Sequence, residues 1–269
     1  MEKGKMINEP LLTSSKVVEI ASKMARKKRE DYAVDEKVFL LFSDLLLEYL
    51  IRKANLKKYS WLEDAHPYAS GAIYRGAYNG IPLTVMKPPM GASPMAVVLE
   101  DLITCGAKNI FLVCGAWGIG PKVKINDFLL PTHTTGCESI TKYYGRAEKE
   151  ELPMMPGIVR LLKEETAKRT ENYHTGKNYA KEAFYRLTKE EIIALQKQGF
   201  IGMENGELNV LAAVCRQKNS NYGAIFYSYY NPLEGWTIPW KKKEEYKATV
   251  ELEGEIALAV LERLENLKL

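Results

Sequence analysis

The sequence predicts a single α/β domain, residues 1–269, built on a mixed sheet, and three observations carry that prediction. From residue 72 onward, segments with helical apolar spacing alternate with short apolar runs, the pattern of strands joined by helices. The run Ile110, Phe111, Leu112 and Val113 has no polar position, as a strand covered on both faces requires. No repeat, low-complexity tract or linker composition divides the chain.

Residues 14–52 read as two helices, and residues 1–55 as a helical N-terminal extension packed on the domain. Ser15 is placed to cap the first, with Val17, Val18, Ile20, Ala21 and Met24 as its apolar positions. Asp35 is placed to cap the second, which carries Val38, Leu41, Phe42, Leu45, Leu46, Tyr49 and Leu50 on a broad apolar face. Residues 56–60 read as a polar turn. Strands over 72–78 and 81–86 flank Asn79-Gly80, a pair that tolerates positive φ and suits a tight hairpin. The loop 87–94 opens a helix with Ser93 as cap and Pro94 at its first position, and Gly106 stops it.

The strand over 109–114 empties into Gly115-Ala116-Trp117-Gly118-Ile119-Gly120, read as a small-residue loop at a strand's C-terminal end, where open α/β sheets bind ligands. Its glycine spacing matches neither a dinucleotide fingerprint nor a P-loop. A strand over 127–131, an irregular connection over 133–144, a helix over 155–169 and a strand over 173–180 follow. Thr188 caps a helix ended by Gly199. The chain closes with a strand over 223–227, a polar loop over 231–240 and an amphipathic helix over 243–267.

Composition excludes several classes. The net charge is +4, and the dense basic runs 23–29 and 241–243 have acidic residues close by, as solvated helix faces do; no nucleic-acid-reading motif accompanies them. No 18-residue apolar run suggests a membrane span. The segment after Lys3 and Lys5 lacks the apolar core of a signal peptide, so an intracellular, cytoplasmic protein is expected. Cys105, Cys114, Cys137 and Cys215 read as reduced thiols, and His66, His133 and His174 lack metal-ligand spacing, so no metal is expected.

Ile201-Gly202-Met203-Glu204-Asn205-Gly206-Glu207-Leu208 places a carboxylate where a short strand runs into a helix. Asn205 is placed to cap that helix, whose buried face would carry Leu208, Leu211, Ala212 and Cys215. Glu204 then stands ahead of free backbone N–H groups that favour its ionised form, a good acceptor for a vicinal diol.

From Gly71 to Tyr230 the order of several segments resembles the nucleoside phosphorylase family, which includes uridine phosphorylase, hexameric purine nucleoside phosphorylase and related nucleosidases. Residues 73–86 resemble its strand pair, Met90-Gly91 with Leu99-Glu100-Asp101-Leu102 its glycine loop and helix, and residues 107–118 its strand and glycine-rich turn. Asn126-Asp127 resembles its following strand entry, Phe184-Tyr185 its base-facing aromatic pair, and Met203-Glu204 its ribose motif. The resemblance implies a three-layer α/β/α fold with a twisted, mixed central sheet, assembled into a homo-oligomer, dimer or hexamer. It implies a pentosyltransferase that cleaves the N-glycosidic bond of a purine or pyrimidine nucleoside, with phosphate as co-substrate and no other cofactor. By the same resemblance Glu204 would bind the ribose hydroxyls, Met203 would pack beneath the sugar, and Phe184 would stack on the base with Tyr185 nearby. Gly91, Gly115 and Ala116 would offer backbone N–H groups to phosphate or to a nucleophilic water.

The departures bear on the acceptor. Leu112 stands where many members carry a phosphate-binding arginine, Cys114 and Trp117 interrupt the small-residue turn, and the N-terminal Gly-Asp-Pro motif is absent. Tyr229-Tyr230-Asn231 falls near the place of the general acid of purine-specific members, and Thr188 and Glu190 do not match the base-reading Gln and Arg of uridine-specific ones. Arg75, Lys87 and Arg186 are candidate replacement cations, Tyr229 or Tyr230 a candidate donor to the base, and Trp117 a candidate occupant of the phosphate space. The alternatives are a phosphate-independent nucleosidase and a nucleoside-binding or structural homologue impaired in catalysis.

Overall fold

Alternation of side chains along the strands decides the layering. In the computed structural model, which describes residues 10–62, 71–235 and 243–264, strand β5 (Asn109–Gly118) sends Ile110, Leu112 and Cys114 into one apolar cluster and Phe111 and Val113 into another. The first cluster is completed by helices α1 (Ser14–Ala25), α3 (Ala92–Thr104) and α6 (Glu207–Lys218). The second is completed by α2 (Asp44–Ala54), α4 (Pro156–Ala167) and α7 (Lys243–Leu264). Helices on both faces of a mixed sheet give the α/β domain that the sequence pattern predicts and the three-layer α/β/α architecture that the family resemblance implies.

The sheet has two parts that meet at β5. On one side runs an open wing of β1 (Lys37–Leu40), β4 (Ile81–Lys87), β3 (Ala72–Tyr78) and β2 (Lys57–Tyr59). On the other, β5 pairs in parallel with β10 (Asn221–Tyr230), which meets β6 (Phe128–Cys137); β6 pairs with β8 (Tyr173–Lys181), β8 with β9 (Phe200–Glu204), and β9 returns to β5. These five strands close into a ring, which removes their free edges. Strand β7 (Leu152–Pro153) adds to β6, and α5 (Lys189–Lys197) precedes β9.

Local signals held where they were strong. Asn79 and Gly80 both take positive φ between β3 and β4, and the Thr188 side chain caps α5 by accepting from the Glu191 N–H at 3.2 Å. Elsewhere tertiary packing overrode them. The helix assigned from Asp35 does not begin there: residues 37–40 form β1, inserted between β4 and β5, and α2 starts at Asp44 with Ser43 as cap. Asp35 instead accepts from Arg75 and from the Thr84 hydroxyl, and residues 1–55 are therefore not a purely helical extension. Val38, Phe39 and Leu40 are buried in the sheet, where both faces are apolar and helical spacing carries no information.

Caps moved as well: Thr13 rather than Ser15 caps α1, and Gly91, at φ 110°, rather than Ser93 precedes α3. The polar turn at 56–60 contains β2. The glycine-rich segment 115–118 is not a loop but the continuation of β5, and β6 runs on to Cys137 through part of the stretch read as irregular. Residues 236–240 of the loop after Asn231, residues 265–267 of the last helix, His66, and Lys3 and Lys5 lie outside the described residues. Among the described residues no helix is long and apolar enough to cross a membrane, and no group of three or more His, Cys, Asp or Glu residues could hold a metal ion.

Candidate active site at the split beside β5

The register of β5 creates the site. Its pairing with β1 ends at Leu40 opposite Leu112, and its pairing with β9 begins at Met203 opposite Trp117. On that edge Val113, Cys114, Gly115 and Ala116 have no partner strand, so the sheet splits where strand direction and neighbour change. Such a switch point leaves strand ends and backbone groups facing a crevice. A cavity of ≈ 320 Å³ lies there, bordered by Phe42 and Ser43 after β1, by Cys114, Gly115 and Ala116, and by Met203, Glu204 and Glu207. Tyr227 and Tyr229 of β10 and Tyr246 of α7 complete its wall. Glycine at 115 is a packing requirement: a Cβ there would stand 2.7 Å from Tyr229 Cδ1 and 2.9 Å from Tyr227 Cζ.

Glu204 ends β9 and is buried. Its Oε2 accepts from the N–H groups of Gly206 at 2.8 Å and Leu208 at 3.3 Å, and its Oε1 accepts from Asn178 Nδ2 at 3.1 Å. The carboxyl group thus caps α6 itself, in place of Asn205; Gly206, at φ 106°, makes the turn. Asn178, also buried, is linked through Thr134 to Asn209 on α6, a chain that fixes the orientation of Glu204.

The charge state expected for Glu204 is overturned. Burial raises its pKa well above 4.5, the nearby Glu207 raises it further through charge and a hydrogen bond, and the two backbone donors only partly oppose them. A helix N-terminus favours an anion by about 0.3–2 kcal/mol, which full burial beside a second carboxylate exceeds. Glu204 therefore holds its proton well above the ordinary carboxylate range, hydrogen-bonded to Glu207. Glu207 in turn accepts from the Gly91 N–H at 2.8 Å. Burial, with these carboxylates nearby, also keeps Cys114 a neutral thiol, and burial pushes Tyr229 up to about 12.

Phe184 borders this cavity and a second one of ≈ 630 Å³, lined among others by Trp117, Tyr185, Leu187, Tyr230 and Leu233. One face of Phe184 is stacked on Trp117, with ring centroids 4.2 Å apart and planes at 20°, and Trp117 Nε1 donates to the Tyr229 hydroxyl at 2.8 Å.

The family model described as the phosphorylase superfamily matches residues 38–264, so it includes β1 and begins well upstream of the resemblance read from sequence. The chain belongs to the phosphorylase superfamily. Relatives of this superfamily member are distant. The uridine phosphorylase of Thermococcus kodakarensis is 25% identical over 126 residues, 46% of this chain and 45% of that protein. A DeoD-type purine nucleoside phosphorylase of Shewanella oneidensis is 22% identical over 173 residues, 61% of this chain and 71% of that protein. The matched segment thus spans less than half of the first relative's length and about seven-tenths of the second's. Among solved structures, the uridine phosphorylase of Vibrio fischeri superposes with a TM-score of 0.73 at 17% identity, covering 88% of this chain and 94% of that one. The Toxoplasma gondii purine nucleoside phosphorylase bound to immucillin-H superposes at 0.73 with 15% identity, covering 89% and 95%. These likenesses establish the fold.

Within this superfamily member the structure brings Met203, Glu204, Phe184, Gly115 and Ala116 to one cavity. Tyr185 is not among them: it is fully exposed and borders only the second cavity. Gly91 does not present a free amide, because Glu207 accepts from it. Trp117 does not fill the space beside Gly115; it backs Phe184. None of the candidate cations reaches the cavity. Arg75 is held by Asp35, Lys87 pairs with Asp44, and Arg186 is not among the lining residues. Sequence reasoning missed Glu207, Asn178, Ser43 and Tyr246. Glu207 lay within the stretch already singled out, and its spacing of three from Glu204 across a helix start was the available signal.

Proposed function

We propose that this protein cleaves the N-glycosidic bond of a nucleoside in the cavity beside β5, with the ribose against Met203 and Glu204 and the base against Phe184. The observation that carries the reading is the fixing of Glu204 by Gly206, Leu208 and Asn178 at the wall of a cavity bordered by an unpaired strand edge. Cleavage builds positive charge on the sugar and negative charge on the leaving base. Glu204 and Glu207 turn carboxyl oxygens toward the sugar, and backbone groups at Gly115 and Ala116 face the acceptor.

In this reading the protein is a pentosyl-transferring enzyme, and the relatives' names make phosphate the first acceptor to test. Hydrolysis is the second reading, favoured by a specific observation: among the described residues no Lys or Arg lines the cavity, and Glu207 occupies the Gly91 amide. Chromatography of free base released from a panel of purine and pyrimidine nucleosides, with and without phosphate, tests the reading. Base release is the expected result; no release from any nucleoside in either buffer rejects it.

A further inference from the structure

Helix α1 is apolar on two sides, and the fold buries only one of them. Val18 and Ala21 join the first apolar cluster beside α3, and the Ser14 hydroxyl donates to Asp101 of that helix. Ile20 and Met24, four residues apart and so on one face, point outward and are 51% and 70% exposed. Leu11 and Leu12, just ahead of the Thr13 cap, are 96% and 63% exposed. Four of the ten exposed large apolar side chains among the described residues thus fall within residues 11–24, a cluster rather than the scatter usual on a surface.

Charge gathers at the same place. Lys16, Lys23, Arg26, Lys27, Lys28 and Arg29 lie between Leu11 and Tyr32 with only Glu19, Glu30 and Asp31 to oppose them, a net +3 within a chain of net +4. Of these cations only Lys23 is in an ion pair among the described residues, with Glu19, and Asp31 accepts from the Lys28 N–H at 2.8 Å. Helix α1 also lies ahead of residues 38–264, so this surface is outside the part of the chain matched by the superfamily.

Exposed apolar side chains flanked by cations have their two needs met together by an anionic bilayer, which offers hydrocarbon to the first and headgroup charge to the second. A second copy of this chain would bring the same net +3 against it. Four apolar side chains are also few beside the roughly 20–30 residues a side of a stable dimer. We propose that α1 docks this protein on anionic lipid surfaces, with Leu11, Leu12, Ile20 and Met24 in the headgroup layer and the cations of residues 26–29 on the lipid headgroups. The helix is already formed and held against α3, so docking requires no helix nucleation. Neither signal alone anchors a protein, and the two together give a reversible attachment. The surface is independent of the cavity beside β5 and of the reading given to it.

The test pellets the full chain with vesicles of phosphatidylcholine alone and of phosphatidylcholine with phosphatidylserine at about 3:1. The expected result is binding to the anionic vesicles at least about tenfold tighter than to the neutral ones, and lost at about 1 M salt, where charges are screened beyond about 3 Å. Lys28→Gln with Arg29→Gln weakens anionic binding about twenty- to thirtyfold, at about fivefold per cation. Ile20→Ser with Met24→Ser leaves the charge unchanged and weakens it about tenfold or more, and because both side chains are already exposed the thermal unfolding midpoint stays at the wild-type value. No binding to anionic vesicles, or equal binding to both kinds, overturns the proposal. Anionic binding that the serine pair leaves unchanged also overturns it, because charge alone then attracts the protein. A wild-type dimer in sedimentation velocity that the serine pair dissociates assigns the face to a second copy and overturns it as well.

Discussion

The end of β9 and the first turn of α6 each give the cavity a glutamate, and the two are held in different ways. At the end of β9 Glu204 receives two backbone N–H groups and the Asn178 amide, and stands at the terminus of a paired strand. In the first turn of α6 Glu207 receives one backbone N–H, from a loop contributed by a distant part of the chain. A third carboxyl group, Glu253 of α7, is fully buried, and neither of its oxygens has a partner. Number of donors, rather than burial alone, separates a carboxyl group that can position a ligand from one that only costs stability.

Four measurements break or sharpen that contrast. The largest effect belongs to Glu204→Ala, which uncaps α6 and removes the group proposed to meet the ribose diol; kcat/KM should fall about a hundred- to a thousandfold. Glu204→Gln should lose far less, because a glutamine donates to Glu207 as the protonated acid does. Equal losses in the two variants would show that Glu204 works as an anion.

Gly115→Ala comes next. Its Cβ would collide with Tyr227 and Tyr229, so chemical denaturation should show a loss of about 1–3 kcal/mol together with weakened nucleoside binding. Wild-type stability would show that the tyrosines move freely and that the wall is soft.

Glu253→Met tests the carboxyl group without donors. Burial raises the Glu253 pKa well above 4.5, so the folded protein keeps a proton that the unfolded chain releases above that value. Stability from this group is complete below the unfolded value and declines as pH rises through the folded one. At pH 8 the variant should be more stable by about 1–3 kcal/mol, with the gain shrinking toward pH 4.5. A gain that does not change with pH would sink the account.

Trp117→Phe should have the smallest effect. It keeps an aromatic face on Phe184 and loses the hydrogen bond to Tyr229, worth about 1 kcal/mol, so KM should rise severalfold at unchanged kcat. A large fall in kcat would place Trp117 nearer the reacting atoms than the structure does.

Much of the fold was legible in short stretches of sequence. The Asn79-Gly80 hairpin, the Thr188 cap, the two-faced apolar run of β5 and the strand-to-helix passage at Glu204 each depend on neighbours within a few residues, and local sterics and hydrogen bonding decide such features. The tertiary structure alone decided the rest. Residues 37–40 became a strand because β4 and β5 offered two edges to fill, and Glu204 kept its proton because burial and Glu207 outweighed the helix terminus. Gly91 lost its free amide to Glu207, 116 residues away in the chain. Partners that distant leave no periodicity or spacing in the sequence, so the proton on Glu204 and the occupancy of the Gly91 amide could be read only once the chain had closed around them.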